Sequence, residues 1–144
     1  MLNGIKWNGK GFGENIYEIK NGCGMMINYY NNGEIEFEGE YINGEKNGKG
    51  KEFNYNGKLK FEGEYKNGKR NGFGKELYTN GKIDFEGEYL NGEKNGKGKE
   101  FFFDKNGVLK FEGEYLNDKR KYGKEYNQKG ELIYQGEYIN GLKL

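Results

Sequence analysis

The residues that could carry out chemistry in this sequence are few. The chain has no His and no Ser, and Cys23 is its single cysteine, so no imidazole is present to activate a nucleophile. We interpret Cys23 as a buried structural residue. A lone cysteine excludes an intrachain disulfide and is typical of a reducing compartment, so we expect a cytoplasmic protein.

Paired carboxylates are the next candidates, because two acidic groups close together can act as general acid and base. Glu62 and Glu64 form such a pair, two positions apart. That spacing places both on the polar face of a strand, beside lysine-rich neighbours. We therefore predict a solvated face with cross-strand ion pairs.

Two glycine-rich stretches have partial ligand-binding patterns. The stretch 44–50 is similar to a phosphate-binding loop, but it lacks the Ser or Thr metal ligand and no helix follows it. Asp104 begins a short Asp-Lys-Asn-Gly run that lacks the later ligands of a calcium loop, and we interpret it as a turn. We expect no catalytic residues, no cofactor and no metal, and hence a protein that is not an enzyme.

The elements that must position these residues come from a repeated unit. In the stretch from Phe61 to Gly81, the unit reads Phe-Glu-Gly-Glu-Tyr-Lys-Asn-Gly-Lys-Arg-Asn-Gly-Phe-Gly and ends on Asn-Gly. Copies start at Phe37, Phe61, Phe85 and Phe111, and a worn copy starts at Tyr134. Such recurrence is typical of arrays in which each unit packs on its neighbours. We predict one domain over 1–144, with degenerate repeats in 1–36 and regular repeats in 37–144.

Alternation within the unit predicts strands. Apolar residues and Gly63 share one face of 59–65, and charged residues share the other. We predict a turn at 67–72, a second strand at 72–78 and a tight hairpin turn at Asn80-Gly81. The fold class is therefore all-β: an elongated, single-layer antiparallel β-meander of stacked hairpins. Its glycines leave room for aromatic rings from neighbouring strands.

Charge and hydropathy limit the classes of molecule that we expect this protein to bind. The net charge is +1 and Lys alternates with Glu, which argues against nucleic acid and predicts weak attraction to anionic lipid. No apolar stretch approaches the ~18–20 residues of a membrane span, and the first residues lack the apolar run of a signal peptide.

The stretch from Phe61 to Gly74 resembles a MORN repeat (membrane occupation and recognition nexus), whose pattern is Tyr-Glu-Gly-Glu-Trp/Tyr, then Asn/Asp-Gly-Lys, then Gly-x-Gly. The other copies match nearly as well. The resemblance implies a single-layer hairpin array that serves as a protein-interaction scaffold, often homodimeric, with lipid binding as a suggested further property. Turns of the Asn-Gly-Lys-Leu-Lys type are similar to those of bacterial and viral relatives, some of them antitoxin-like.

Two features depart from the family pattern. The family usually has an aromatic residue where this chain has Glu52, Glu76 and Glu100, and its unit is usually one residue shorter. We therefore expect the second strand of each hairpin to face or pair differently here.

We predict a non-enzymatic binding module that engages another protein through its aromatic face. The residues expected to anchor the partner, wherever packing does not consume them, are Phe37, Tyr41, Phe61, Tyr65, Phe85, Tyr89, Phe111 and Tyr115. Open strand edges predict self-association, such as a homodimer joined at the ends. One alternative is a small inhibitor or antitoxin-like protein that blocks a nuclease or toxin. A further alternative is an adaptor for anionic lipid surfaces.

Overall fold

The computed structural model describes residues 16–20 and 22–144 and shows, over these residues, an all-β protein without helices. The strands are β1 Ile16–Lys20, β2 Cys23–Tyr29, β3 Ile35–Ile42, β4 Glu45–Phe53, β5 Leu59–Lys66, β6 Lys69–Leu77, β7 Ile83–Leu90, β8 Glu93–Phe101, β9 Leu109–Leu116, β10 Lys119–Tyr126, β11 Leu132–Ile139 and β12 Leu142–Lys143. Each strand pairs antiparallel with the next in one sheet. This confirms the predicted meander of hairpins. Of the degenerate repeats predicted in 1–36, residues 1–15 and 21 lie outside the described residues, and the rest includes β1 and β2, which pair antiparallel.

The two kinds of turn are placed differently from the prediction. The tight turn joins β5 to β6 at Asn67 and Gly68, which both have positive φ, at 50° and 80°. Such two-residue turns suit the twist of a hairpin, and Asn and Gly tolerate the required φ best. The turn at Asn80-Gly81 is wider: the Tyr78 amide donates to the Lys82 carbonyl at 2.8 Å, and the Gly81 amide donates to the Tyr78 carbonyl at 2.9 Å.

A bulge interrupts the pairing of β4, β6, β8 and β10 with the strand that precedes each of them. In β6, the residues between Arg70 and Gly74 lie opposite the single residue Glu64 of β5, where the register shifts. The bulge restores the alternation, so that Arg70 and Gly74 face the same side of the sheet. The strand β6 therefore begins at Lys69, and not at the predicted Gly72.

Strand alternation gives the sheet two faces. We call the face that carries Phe61, Gly63 and Tyr65, with their equivalents, the core face, and the face that carries Glu62 and Glu64, with their equivalents, the outer face. Cys23 lies at the start of β2, two positions from the exposed Met25, on the outer face. It is therefore exposed, and the prediction that it is buried was wrong.

Candidate binding surfaces

The core face is built from aromatic rings that lie over glycines. Phe61 is completely buried, and its ring makes T-shaped contacts with Tyr65 and Tyr89 at centroid distances of 5.8 and 5.4 Å. A Cβ on Gly74 would lie 2.5 Å from the Phe61 ring. The glycine row therefore makes room for the rings, and the rings shield one another as the single layer requires.

A ladder of charged side chains covers these rings. The Arg70 guanidinium lies 3.8 Å from the centroid of the Phe61 ring. Its two terminal nitrogens donate to Glu52 Oε2 at 2.9 Å and to Glu76 Oε1 at 3.1 Å, so one arginine links two hairpins. Arg120 repeats the arrangement with Glu100 and Glu125, and the Lys94 ammonium binds Glu76 at 2.9 Å. The same carboxylates accept hydrogen bonds from buried tyrosines, among them the Tyr65 hydroxyl on Glu52.

Proton affinities in the ladder follow from these contacts. Burial alone would raise the pKa of Glu52, but the hydrogen bonds from Arg70 and Tyr65 hold it below its ordinary value of 4.5. Glu100 has a lowered pKa by the same balance. Burial, followed by the hydrogen bond to Glu125, raises the pKa of Tyr138 to about 12. The carboxylates are thus kept charged and the phenols neutral, which is a structural arrangement.

The outer face has a different composition. Across the strands, glutamates of odd-numbered strands alternate with lysines of even-numbered ones, as in the opposed pair Glu62 and Lys51. Two sets of apolar residues break the pattern. Met25, Phe73 and Tyr122 share a row and have exposed fractions of 52%, 49% and 45%, whereas Ile42, Leu90 and Leu116 lie beside the tight turns. Two open cavities of about 550 and 480 Å³ lie on this face, the first between Met25 and Phe73 and the second between Phe73 and Tyr122. An apolar side chain therefore stands at each end of both cavities.

Comparison with protein families decides the identity of the repeat. The MORN repeat model matches residues 61–83, 85–107 and 134–143, and a MORN repeat variant matches 23–43 and 46–67. The chain belongs to the MORN-repeat family. A search of curated proteins finds no match. MORN repeats are commonly protein- or lipid-interaction modules and are generally non-catalytic, which is consistent with a non-enzymatic binding role.

The MORN sheet buries most of the aromatic residues predicted to anchor a partner. The seven residues concerned are no more than 5% exposed: Phe37, Phe61, Tyr65, Phe85, Tyr89, Phe111 and Tyr115. Tyr41 is partly buried, and its ring packs edge-on against Phe37 at 5.7 Å. All eight lie together on the core face, where their side chains pack against one another within the sheet. Their role in partner binding stays a prediction.

The charged ladder was missed in the sequence, although a signal was present. Glu52, Glu76 and Glu100 occur at the same place in successive units, where the MORN pattern usually has an aromatic residue. Facing Phe61, Glu52 is within reach of Arg70 and of the Tyr65 hydroxyl. The departure from the family pattern therefore marks a second set of core residues, in which an ion pair replaces a ring.

The outer-face glutamates were predicted to form cross-strand ion pairs, and they do so in part. Lys51 and Glu38 approach to 3.6 Å. Glu64 instead accepts the Phe73 amide at 2.9 Å, and Glu88 accepts the Lys97 amide at 2.6 Å. These carboxylates therefore stabilise the bulges, at whose ends Phe73 and Lys97 point to the outer face.

Other kinds of site receive no support. Within 16–20 and 22–144, no group of three or more acidic, Cys or His side chains is placed to hold a metal ion. No helix long and apolar enough to cross a membrane occurs in the same residues. The cavities of the outer face are therefore the candidate site that the described residues support best.

Proposed function

We propose that this MORN-repeat protein is a non-enzymatic module that binds another protein through its outer face. The observation that carries the proposal is the row of Met25, Phe73 and Tyr122, which are about half exposed and stand at the ends of the two cavities. Exposed aromatic side chains beside open cavities are typical anchors of protein interfaces. The proposed binding surface is therefore the outer face, whereas the sequence analysis predicted the aromatic core face on the opposite side of the sheet.

Charge balance supports a protein partner over an anionic surface. The lysines that line the two cavities each oppose a glutamate on a neighbouring strand, as Lys75 opposes both Glu62 and Glu86. Such alternation leaves no extended positive field to attract nucleic acid or anionic lipid. Binding to lipid headgroups remains an alternative outcome of the experiment below.

The experiment is affinity capture from a lysate of the source organism, with the wild-type chain and the double variant Phe73→Lys/Tyr122→Lys as baits. The matched control is Leu90→Lys/Leu116→Lys, which makes the same change at outer-face residues that are 50% and 49% exposed near the tight turns. Mass spectrometry should find a stoichiometric partner protein that the control retains and the double variant loses.

Other outcomes decide between the alternatives. A partner that both variants retain would place the binding surface elsewhere. Salt-sensitive binding to anionic vesicles, without a protein partner, would favour the lipid adaptor. A captured nuclease or toxin that is inhibited at equimolar ratio would favour the inhibitor. Light scattering of the purified chain tests the proposed homodimer, which a monomer at micromolar concentration would exclude.

A further inference from the structure

We infer that the outer face accepts an extended peptide segment, laid across the strands, with apolar side chains about six residues apart. The inference rests on the proposed function and adds the conformation and sequence pattern of the partner. It follows from the width of the trenches on the binding surface, the spacing of its apolar residues and the balance of its charges.

The width comes from the alternation of the strands. Each cavity lies over backbone glycines, and charged side chains stand on both sides of them, as Glu62 and Glu64 flank Gly63. Side chains two positions apart on a strand are separated by about 6.5–7 Å along it. The cavities are therefore two trenches that cross the strands, each with a flat glycine floor and charged walls.

The width of each trench selects an extended occupant. Met25 and Phe73 are four strands apart, on β2 and β6, so the first trench runs for about 19 Å across the strands. An α-helix with its side chains is about 10–12 Å across, which is wider than the ~6.5–7 Å between the charged walls. An extended chain is narrow enough to enter the trench, whereas a helix would rest on the walls.

The apolar row repeats every two hairpins. Phe73 lies on β6 and Tyr122 on β10, again four strands apart, so the three side chains are evenly spaced at about 19 Å. An extended chain covers that distance in about six residues. Because six is even, side chains at that spacing point to the same side of the peptide. A segment of about thirteen residues could thus contact the three apolar side chains in turn.

The charges of the walls define the rest of the peptide. The first trench has the lysines Lys49, Lys51 and Lys75 and the glutamates Glu38, Glu62 and Glu64. The second has an equal number of each, Lys97, Lys99 and Lys124 with Glu86, Glu112 and Glu114. Neither a polyanion nor a polycation is complementary to such walls. The matching partner carries both signs or polar side chains between its apolar residues, with net charge near zero.

The test uses random linear peptides, long enough to span both trenches, displayed on phage and selected on the full-length chain. Binders to the Phe73→Lys/Tyr122→Lys variant are removed by counter-selection. We expect the enriched peptides to share apolar residues six apart and to lack the three- and four-residue spacing of an amphipathic helix. A synthetic copy with the spacing shortened by one residue should bind on the order of tenfold more weakly.

Three results would overturn the inference: enrichment of helical spacing, enrichment without a recurring spacing, and no enrichment. A second copy of this chain as the occupant would appear as self-association that the double variant abolishes, and it would overturn the inference as well. If lysate capture yields a partner that depends on Phe73 while the peptide selection fails, the proposed function stands and the extended-peptide inference falls.

Discussion

The two faces of the sheet use the same residue types for opposite purposes. On the core face, Phe61 is buried under Arg70, and the charged groups are bound to one another. On the outer face, Phe73 is half exposed, and Glu64 is bound to the backbone of the bulge. The comparison teaches that strand alternation separates the side chains that pack the sheet from those that stay exposed, so the face to which a residue points predicts its surroundings better than its residue type does.

The largest expected difference between the faces is the cost of removing a ring. Phe61→Ala should lower the free energy of unfolding by about 3–5 kcal/mol, because it leaves a cavity under the charged ladder. Phe73→Ala should change it by less than about 0.5 kcal/mol, as surface substitutions usually do. Urea denaturation measures both. Similar losses in the two variants would contradict the assignment of the faces.

A methyl group added to the glycine row should have the next largest effect. Gly74→Ala places a Cβ 2.5 Å from the Phe61 ring, which must move. Overpacking of this kind costs about 1–3 kcal/mol. Lys75→Ala is the matched control, since Lys75 is the neighbouring residue and points to the outer face. Thermal unfolding should separate the two variants, and an unchanged melting temperature for Gly74→Ala would show that the rings are loosely packed.

The ladder supplies a smaller effect that distinguishes its arginines from its lysines. Arg70 binds two carboxylates, Glu52 and Glu76, whereas Lys94 lies within ion-pair distance of Glu76. Arg70→Gln should therefore cost about 1.5–3 kcal/mol, because Glu52 loses a charged hydrogen bond. Lys94→Gln should cost less. Denaturation of both at neutral pH is the measurement, and an equal cost would show that the arginine bridge adds nothing.

Acid should weaken the core face gradually. Folding lowers the pKa of Glu52 and Glu100 below 4.5, so their stabilising contribution is complete above that value and is lost as pH falls through the folded pKa values. The melting temperature should therefore fall on acidification below about pH 4.5. The double variant Glu52→Gln/Glu100→Gln should show a flatter profile, although it is less stable at pH 7. Parallel profiles would exclude these two carboxylates as the cause.

Much of the fold could be predicted from the sequence, because the period of the unit and its alternation are unusually regular. Phe61 and Tyr65 were placed correctly on one face with Gly63, and the MORN family was identified from the same residues. The wider turn at Asn80-Gly81 was not predicted, because an Asn-Gly pair alone does not determine loop length. The bulge before Gly74 was also missed, since it depends on a register that pairing with β5 sets.

The candidate site was harder to predict. The sequence marks aromatic residues as anchors but does not reveal which of them the neighbouring strands will cover. Phe73 has the same type as Phe61, but it comes directly before Gly74 of the core face, so strand alternation turns it outward. The unit-to-unit alternation of Lys49, Phe73, Lys97 and Tyr122 was visible in the repeats. It becomes informative once these residues are known to share a row.

The most direct test of the division between the faces is a titration of the captured partner against three forms of the full chain. These are the wild type, Phe73→Lys/Tyr122→Lys and the control Leu90→Lys/Leu116→Lys, each with its urea midpoint measured. We predict that the first double variant binds at least about tenfold more weakly while its midpoint matches that of the control. Undiminished binding by that variant, or a loss of binding that follows a loss of stability, would contradict the account.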